Sequence, residues 1–324
     1  MKSNLNPEII YKQYENNELD KEVASKLLIS IIENDRNEDN RVKSIEIIGR
    51  IGLKQHIIFE LLENLLISDS NERVRSTTAN VLFNNYQDKG IEVIKWALRH
   101  EQSPLCLEVF LKVIEKVNST FLNHFLKMEL SSMQKKNSKI INCFYDGLNL
   151  PNSTDWLIEI FLKCKILLFF GSNLWDFSIR DDEIVKIAIS GLNVKKISDI
   201  IGLELLTKLE YLDLSGNNIM EIDLLEKFPK LQYLNLENNQ IREIKGLSSL
   251  KNLVHVNLGY NKISKLQGLG RLVNLAYLNL EGNQIHELNG LETLINLQEL
   301  NLINNKIKQA KKPESLKNLW IFEY

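Results

Sequence analysis

Apolar residues return at intervals of 22 in the second half of the chain. The stretch LQYLNLENNQIREIKGLSSLKN (231–252) is followed by LVHVNLGYNKISKLQGLGRLVN (253–274) and LAYLNLEGNQIHELNGLETLIN (275–296). Leucine, valine or isoleucine occupies the fixed columns of a frame LxxLxLxxNxI, whereas the x columns vary. Because side chains of a strand alternate between its two faces, the LxL part predicts a short strand with its apolar side chains inward.

The frame begins five times at the same constant step, and one asparagine recurs with it. A looser first copy, IVKIAISGLNV (184–194), precedes these five, and a truncated last copy, LWIFEY (319–324), follows them. An asparagine amide both donates and accepts hydrogen bonds, so it can pair the backbone groups of a buried turn. We interpret the five asparagines as a structural ladder inside a solenoid rather than as a ligand site: Asn217, Asn239, Asn261, Asn283 and Asn305.

Only about a dozen residues separate each asparagine turn from the next strand, which leaves little room for a full helix. Short 3-10 or irregular segments are therefore predicted on that side of the solenoid. Gly246, Gly268 and Gly290 recur just before an apolar residue in each of these segments. They mark a backbone position that needs a positive φ or close packing.

The repeated frame over residues 184–324 resembles the 22-residue class of leucine-rich repeats, the type found in the leucine-rich regulatory subunit of protein phosphatase 1 and in internalins. The resemblance implies an α/β solenoid with a parallel sheet on its concave side and short 3-10 or irregular segments on its convex side. It does not identify a partner, because this class serves unrelated functions.

Helical spacing of apolar residues characterises the first half of the chain. NRVKSIEIIGRIG (40–52) aligns with ERVRSTTANVLFN (72–84), which places Arg41 against Arg73 and indicates a second, softer period. Other apolar stretches at helical spacing, such as IIFELLENLL (57–66) and IEVIKWAL (91–98), precede such segments. Polar joints such as SDSNE (68–72) suit helix N-caps.

Two further phases of this softer period begin near Leu105 and near Ile140, but both lack the Val-Arg pair of the first two. Across about residues 18–150 the pattern resembles HEAT-like repeats, which imply an all-α solenoid with two helices per unit. A plain helical bundle is the alternative.

A third segment connects the two repeat regions. Pro151 and the following Asn-Ser-Thr-Asp predict a helix start, with Ser153, Thr154 or Asp155 as cap, and a helix towards Phe170 that stops at Gly171. The stretches LWDFSI and IVKIAIS flank Arg-Asp-Asp-Glu and predict a hairpin. The aromatic residues of this segment are expected to form the core of a cap on the solenoid: Trp156, Phe169, Phe170 and Trp175.

The predicted organisation therefore has three parts. Residues 1–150 form a HEAT-like α-helical domain whose first 17 or so residues are a leading helix or tail, residues 151–183 form the connecting helix and cap hairpin, and residues 184–324 form the leucine-rich repeats.

Composition and charge exclude several classes of protein. The formal net charge is −2, from 40 lysines and arginines against 42 acidic residues, and it divides evenly between the two halves. Bulk attraction to nucleic acid or to anionic lipid is therefore not expected. Three cysteines without metal-ligand spacing, and an N-terminal stretch without an apolar core, predict a cytoplasmic protein with reduced thiols. The longest apolar run, residues 166–170, is too short to span a bilayer.

Motifs of catalysis are missing from the sequence. The five histidines form no ligand pair, and no Gly-x-Ser-x-Gly, P-loop or His-Glu-x-x-His sequence occurs. Asp181-Asp182-Glu183 could hold a cation, but a solvated hairpin turn is the favoured interpretation. We therefore expect no enzyme activity, no cofactor and no metal.

Variable columns of the repeat carry the candidate binding surface, because the x positions face outward on the concave sheet. Neighbouring strands lie about 4.8 Å apart, so each column forms a continuous stripe. The first column reads Tyr211, Tyr233, His255, Tyr277, Glu299 and Ile321, and the second reads Asp213, Asn235, Asn257, Asn279, Asn301 and Glu323. Beyond the strand ends lie Glu237, Tyr260, Glu281 and Ile303.

Charge is segregated across these columns. The concave positions from residue 209 onward contain six acidic residues and neither lysine nor arginine. An aromatic, acidic strip suits a protein partner with a basic or mixed-charge surface and disfavours nucleic acid. For the asparagine column alone, a polar ladder that keeps the face soluble is the favoured interpretation.

The sequence thus predicts a non-catalytic interaction protein that binds a protein partner on the concave face. The alternative is a regulatory subunit of an enzyme such as a protein phosphatase or a small GTPase. Nucleic-acid binding through the basic residues of the helical half is a weaker hypothesis, because these residues more often form ion pairs between repeats: Arg41, Lys43, Arg73 and Arg75. No membrane association is expected, and the oligomeric state is open.

Overall fold

The computed structural model describes residues 6–116, 119–136, 144, 153–308 and 313–323, and these form two compact units. The described residues before Ile166, apart from Phe144, belong to the first unit. Phe144 and the residues from Ile166 onward belong to the second. The fourth helical phase, predicted near Ile140, lies outside the described residues. The three domain ranges stay a prediction.

The first unit is all-helical. Most of its helices begin at a side-chain cap, including Asn71 in the polar joint 68–72, whose Oδ1 accepts hydrogen bonds from two helical N–H groups. The connecting helix begins after Ser153, as predicted, and ends at Phe170. The helices are α1 Pro7–Glu15, α2 Lys21–Asn34, α3 Glu38–Ile51, α4 His56–Ser68, α5 Glu72–His100, α6 Pro104–Glu115, α7 Ser119–Lys136 and α8 Thr154–Phe170, the last of which continues into the second unit from Ile166.

Helix α5 combines two segments that the sequence pattern separates, 72–84 and 91–98. It is a single helical segment of 29 residues, yet a Cβ placed at Gly90 would lie 2.8 Å from the carbonyl oxygen of Leu82, eight residues earlier. A straight helix would separate the two positions by about 12 Å. The chain therefore bends sharply inside α5, and glycine permits the close approach of the backbone.

An arginine–carboxylate pair links each of two successive helix joints in this unit. Arg41 in α3 pairs with Asp69, and Arg75 in α5 pairs with Glu101 at 2.7 Å. Each carboxylate also accepts the N–H of the helix N-cap two residues later. The pairs are mostly buried, so they hold consecutive joints together within the unit.

These contacts correct the alignment of the helical repeats that was inferred from sequence. The N-caps of α3 and α5 are Asn37 and Asn71. Counted from these caps, Arg41 occupies the same position in α3 as Arg75 occupies in α5, so Arg41 corresponds to Arg75 rather than to Arg73. The shared sequence pattern Arg-Val-Lys/Arg-Ser gave the wrong alignment, because Arg73 lies at an exposed position of its helix whereas Arg41 does not.

The second unit contains one eight-stranded sheet in chain order. Strands β1 and β2 form the predicted antiparallel hairpin, whose two turn residues Asp181 and Asp182 both have positive φ. From β2 onward every strand pairs in parallel with the next. The strands are β1 Leu174–Arg180, β2 Glu183–Ile189, β3 Tyr211–Asp213, β4 Tyr233–Asn235, β5 His255–Asn257, β6 Tyr277–Asn279, β7 Glu299–Asn301 and β8 Ile321–Glu323.

The predicted fold class, an all-helical region followed by a parallel β-solenoid of about six turns, is confirmed. The leucine columns of the frame are buried, as Leu234, Leu236 and Leu278 show. From β2 onward, irregular chain and short 3-10 segments return from strand to strand in the described residues, as expected; the 3-10 segments of these returns are Ile197–Asp199, Leu203–Leu205 and Leu225–Lys227.

The aromatic cap predicted before the solenoid is only partly present. Phe170 is buried, but Trp175 is 55% exposed and Phe169 is 39% exposed. Trp175 lies on β1, the edge strand, where alternate side chains point away from the core. The prediction was therefore wrong for these two residues.

Glycines before the returning segments occupy the backbone position that their spacing suggested. Gly246, Gly268 and Gly290 have φ values of 78°, 104° and 109°. A Cβ at Gly246 would lie 2.8 Å from the carbonyl oxygen of Ile222 in the preceding repeat, and one at Gly268 would collide with that of Ile244. Both positive φ and close packing thus require glycine here.

Gly268→Ala is expected to lower the free energy of unfolding by at least about 2 kcal/mol, because alanine would have to adopt a disfavoured φ and displace a backbone carbonyl. Gly270→Ala is the matched control: Gly270 has no positive φ, and its Cβ would meet only Thr293 Oγ1 at 3.3 Å. Urea unfolding of the two variants measures the difference. Equal stability of both variants would contradict the backbone explanation.

Candidate functional site

The recurring asparagines of the frame connect each turn of the solenoid to the one before it. Asn261 Oδ1 accepts from the backbone N–H of Ile241 at 3.0 Å, and its Nδ2 donates to the carbonyls of Leu236 and Leu258 at 2.9 and 3.1 Å. The carbonyl of Leu236 also accepts from Asn239. The same bonds repeat at each turn, so these side chains are committed to the backbone: Asn217, Asn239, Asn261, Asn283 and Asn305.

A second row of asparagines, which the sequence analysis did not single out, lies at the start of the strands. Each donates from Nδ2 to a carbonyl 23 residues earlier at 2.8–2.9 Å and is exposed. Their regular spacing in the sequence was the signal that could have revealed them. These residues are Asn252, Asn274, Asn296 and Asn318.

Four ring side chains form a continuous column on the outer sheet face, by which we mean the face of β2–β8 opposite the leucine core. The register pairs Tyr211 with Tyr233, Tyr233 with His255, and His255 with Tyr277. The rings of Tyr211 and Tyr233 are stacked at 4.0 Å with 6° between their planes, and the following centroid distances are 5.9 and 5.5 Å. We call Tyr211, Tyr233, His255 and Tyr277 the aromatic column.

Tyrosine hydroxyls of this column stay protonated well above neutral pH. Burial, first, and the hydrogen bond to Tyr211, second, raise the pKa of the Tyr233 hydroxyl. Burial likewise raises the pKa values of Tyr211 and Tyr277. Each hydroxyl can therefore donate and accept a hydrogen bond to a bound ligand at physiological pH.

A lysine precedes the aromatic column. It was absent from the predicted concave positions, because these were taken only from residue 209 onward. Lys186 on β2 is in register with Tyr211, and its Nζ lies 4.5 Å from the centroid of that ring. It also forms an ion pair with Asp176 at 2.7 Å. The looser first copy of the frame, which places Lys186 in the tyrosine column, contained this information.

Side chains of the second column are less accessible than the alternation of strand faces suggested. Asp213, Asn235 and Asn279 are only 3%, 8% and 8% exposed. Each accepts the backbone N–H two residues later, and Asn235 also donates to Asp213 at 2.9 Å. The expectation of a fully outward column was wrong, because these short polar side chains fold back onto their own turn. Asn257 and Asn301 make the same turn bond but are partly exposed.

Carboxylates beyond the strand ends remain accessible beside the aromatic column. Glu237 accepts from Asn257 Nδ2 at 3.0 Å, and Glu281 accepts from Asn301 Nδ2 at 3.3 Å and from the hydroxyl of Tyr260. The other residues proposed for this face are exposed or half-exposed at the strand ends and on β7: Tyr260, Glu299 and Ile303. The side chain of Ile321 lies outside the described part of the chain.

Apart from Lys186, several described basic side chains of this unit lie on the returning segments. Arg242, Lys245 and Lys262 line a cleft of about 600 Å³ together with Met220 on the returning segments. The outer sheet face from β3 to β7 therefore combines aromatic and acidic groups, whereas lysines and arginines concentrate at its edge and behind it.

In the helical unit, each basic residue considered for nucleic-acid binding has an acidic partner. Arg41 pairs with Asp69, Lys43 with Glu8, Arg73 with Glu38 and Asp39, and Arg75 with Glu101. Paired in this way, they offer little net positive charge to phosphates, which disfavours nucleic-acid binding there.

Among the residues that the structure describes, no group of three or more histidine, cysteine or acidic side chains is arranged to hold a metal ion. Burial raises the pKa of the Cys106 thiol to about 12, so this buried cysteine is not poised as a nucleophile. No helix within the described ranges has the length and apolar character needed to cross a bilayer.

Family models of leucine-rich repeats match the second unit. Residues 207–249, 229–271 and 251–293 match the model described as "Leucine Rich repeats (2 copies)", and residues 296–319 match "Leucine Rich Repeat". The repeats recognised in the sequence are thus confirmed for this part of the chain. No curated protein matches the chain.

Solved structures similar to the chain include three from Listeria monocytogenes. An internalin (inlF) is 33% identical over 42% of this chain and 39% of its own, with a TM-score of 0.39. An internalin C2 (inlC2) is 24% identical over 43% and 79%, with a TM-score of 0.32. The functional domain of InlJ is 22% identical over 41% and 27%, with a TM-score of 0.33. The chain therefore spans well under two thirds of the first of these proteins.

Proposed function

We propose that the chain is a non-catalytic interaction protein whose outer sheet face binds a protein partner. The observation that carries this proposal is the aromatic column, in which four rings follow one another in strict register across β3–β6 and stay partly exposed. Half-buried tyrosines offer a large contact area at a small cost in side-chain entropy, which is why they are frequent anchors of protein interfaces.

Charge suggests the kind of partner. Glu237 and Glu281 flank the aromatic column, and within the described ranges neither forms an ion pair with lysine or arginine. Lys186 supplies positive charge only at the β2 end. A protein surface that is basic or of mixed charge complements this arrangement, whereas phosphates would face carboxylates.

The proposed binding residues extend from the aromatic column to the strand ends and β7. They are Tyr211, Asp213, Tyr233, Asn235, Glu237, His255, Asn257, Tyr260, Tyr277, Asn279, Glu281, Glu299, Asn301 and Ile303. Of these, the buried Asp213, Asn235 and Asn279 would shape the surface more than contact the partner.

A pair of double variants tests the proposal. Tyr233→Ala with Tyr277→Ala removes two anchors of the aromatic column, and Val273→Ala with Ile295→Ala removes two exposed apolar residues, 45% and 54% exposed, from the returning segments. Partners captured from lysate by the wild type are identified and purified, and their Kd for each folded variant is measured. We expect the tyrosine pair to weaken binding at least about tenfold and the control pair to leave it unchanged.

Unchanged affinity in the tyrosine variant, with loss in the control, would place the binding surface elsewhere and overturn the proposal. The melting temperature of each variant is measured as well, so that loss of binding caused by unfolding is distinguished from loss of a contact with the partner.

A regulatory subunit of an enzyme remains the alternative form of the proposal, and a change in the turnover of a captured enzyme on addition of this protein would support it. The HEAT-like character of the helical unit and a cytoplasmic location belong to the same proposal. The packing of α2 against α3 and of α4 against α5 supports the first, and the free cysteines of the described residues support the second.

A further inference from the structure

Tyr260 has a backbone conformation that tyrosine rarely adopts. Its φ is 53°, at the turn position where the neighbouring repeats place asparagine or glycine with φ between 54° and 66°. Those two residue types enter the left-handed region easily, whereas a bulky side chain does so at a cost. The equivalent residues are Gly216, Asn238, Gly282 and Asn304.

Neighbouring groups hold the Tyr260 ring in place. A Cβ at Gly282 would lie 2.7 Å from Tyr260 Cδ1 and 3.0 Å from Cε1, so the ring lies directly against the backbone of the next repeat. Its hydroxyl donates to the Glu281 carboxylate. Nevertheless the side chain is 44% exposed. An exposed aromatic ring on a strained backbone is a candidate for binding, because strained conformations cluster at ligand-binding sites.

The chemistry around this ring suits a cation. The exposed ring is attractive to a positive charge through its π electrons, and the Glu281 carboxylate lies beside it. Oε1 of Glu281 accepts from Tyr260 and Oε2 from Asn301, which leaves further lone pairs for another donor. Among the described side chains, no lysine or arginine forms an ion pair with Glu281.

We infer that Tyr260 and Glu281 form the anchor for a cationic side chain, arginine above all, presented by the protein that binds the outer sheet face. The inference rests on the proposed function and specifies the chemistry of the partner. A guanidinium is planar, so it can stack on the ring and donate to the carboxylate at once, which an ammonium group cannot do as well.

The test uses the full chain with 13C-labelled tyrosine and hexaarginine amide as the probe. The protein has nine tyrosines, so single substitutions assign the ring signals. Titrations compare the wild type with Tyr260→Asn, which installs the residue of the equivalent turns, and with Glu281→Gln. Glu287→Gln on the returning segment is the control, and hexaglutamate and hexalysine amides are the control peptides.

We expect hexaarginine to shift the Tyr260 signals saturably and more strongly than hexalysine, and hexaglutamate to leave them unchanged. Kd should weaken about two- to fivefold in Tyr260→Asn and in Glu281→Gln and stay constant in Glu287→Gln. Tyr260→Asn should also raise the melting temperature, because asparagine relieves the strain. A gain in stability together with a loss of binding separates a binding residue from one that only packs.

The outcomes distinguish the inference from the proposed function. If hexaarginine shifts the signals of Tyr233 and Tyr277 but the two variants bind it as the wild type does, the anchor is overturned and the outer sheet face survives as a binding surface. A lower melting temperature in Tyr260→Asn would make Tyr260 a packing residue and overturn the anchor too. If hexaarginine shifts no tyrosine signal, both the anchor and the proposed cationic partner fail.

Discussion

Asn261→Ala is expected to lower the free energy of unfolding of the repeat unit by about 3 kcal/mol. The side chain is 7% exposed and bonds the N–H of Ile241 and the carbonyls of Leu236 and Leu258. Both carbonyls keep a bond from a neighbouring asparagine of the ladder, but the buried N–H of Ile241 loses the partner that Asn261 provides. An unsatisfied buried donor is the largest part of the expected cost.

Asn274→Ala provides the comparison, because Asn274 also spans two repeats through its amide but is exposed at the strand start. Water can replace its single bond to the Lys251 carbonyl, so the loss should stay within about 1 kcal/mol. Hydrogen exchange measured by mass spectrometry on peptides around Ile241 and Lys251 reads out both variants locally. If the two variants lost the same amount of protection from hydrogen exchange near the substituted residue, burial would not explain the cost of removing Asn261.

The second large effect concerns the helical unit, where Arg75→Met is expected to cost about 3–5 kcal/mol. Arg75 holds both oxygens of Glu101, at 2.7 and 2.9 Å, and donates to the carbonyl of Asp69 at 2.7 Å. The two side chains are only 15% and 7% exposed. Methionine keeps much of the volume but leaves the Glu101 carboxylate buried without its counter-charge.

Arg73→Met is the matched control, two residues away on the same helix. Arg73 is 55% exposed, and its partners Glu38 and Asp39 are exposed as well, so loss of these pairs should cost no more than about 1 kcal/mol. Unfolding in urea, followed by the helical circular dichroism signal, compares the variants. A cost for Arg73→Met equal to that for Arg75→Met would contradict the assignment of the buried joint.

Dependence on pH gives an independent check on the Arg75–Glu101 pair. Burial alone would raise the pKa of the Glu101 carboxyl, but the hydrogen bonds from Arg75 and from the Ser103 and Gln102 N–H groups more than offset it, so the pKa lies below its ordinary value. The pair therefore stabilises the fold above the unfolded pKa of about 4.3, and this contribution is lost as the pH falls through the folded pKa.

In Arg75→Met the burial of Glu101 is offset only by the N–H groups of Ser103 and Gln102, so the pKa of its carboxyl should rise. The stability difference from the wild type should then shrink as the pH is lowered from neutrality, and it should reach its minimum only below the lowered folded pKa of Glu101 in the wild type, where the carboxyl is neutral in both proteins. A difference that is constant across this range would show that lost packing, not the buried charge, dominates.

Much of the structure of the repeat unit could be predicted from its amino-acid sequence. Every strand of the frame, the turn asparagines and the need for glycine at Gly268 follow from local rules: alternation of strand faces, the bonding capacity of an amide, and the freedom of glycine at positive φ. The position of Tyr211 beside Tyr233 on neighbouring strands followed as well, because a constant repeat length puts equal positions in register.

The orientation of a side chain that has two possible sets of neighbours could not be predicted from the sequence. Asn235 and Asn279 alternate outward yet fold back onto their own turn and become buried, whereas Tyr260 takes up a strained turn position and rests on Gly282. In the helices, a similar sequence pattern aligned Arg41 with Arg73. The helix caps and the carboxylate partners show instead that Arg41 and Arg75 occupy equivalent positions.

The sequence by itself therefore determined the solenoid, its period and the identity of its outward columns, since each repeat applies the same short-range constraints to the chain. Only the tertiary structure decided which members of those columns remain accessible, which carboxylates keep their charge free of a basic partner, and which arginines are buried in a joint. These properties depend on groups from different repeats meeting in space, and no spacing within one repeat encodes them.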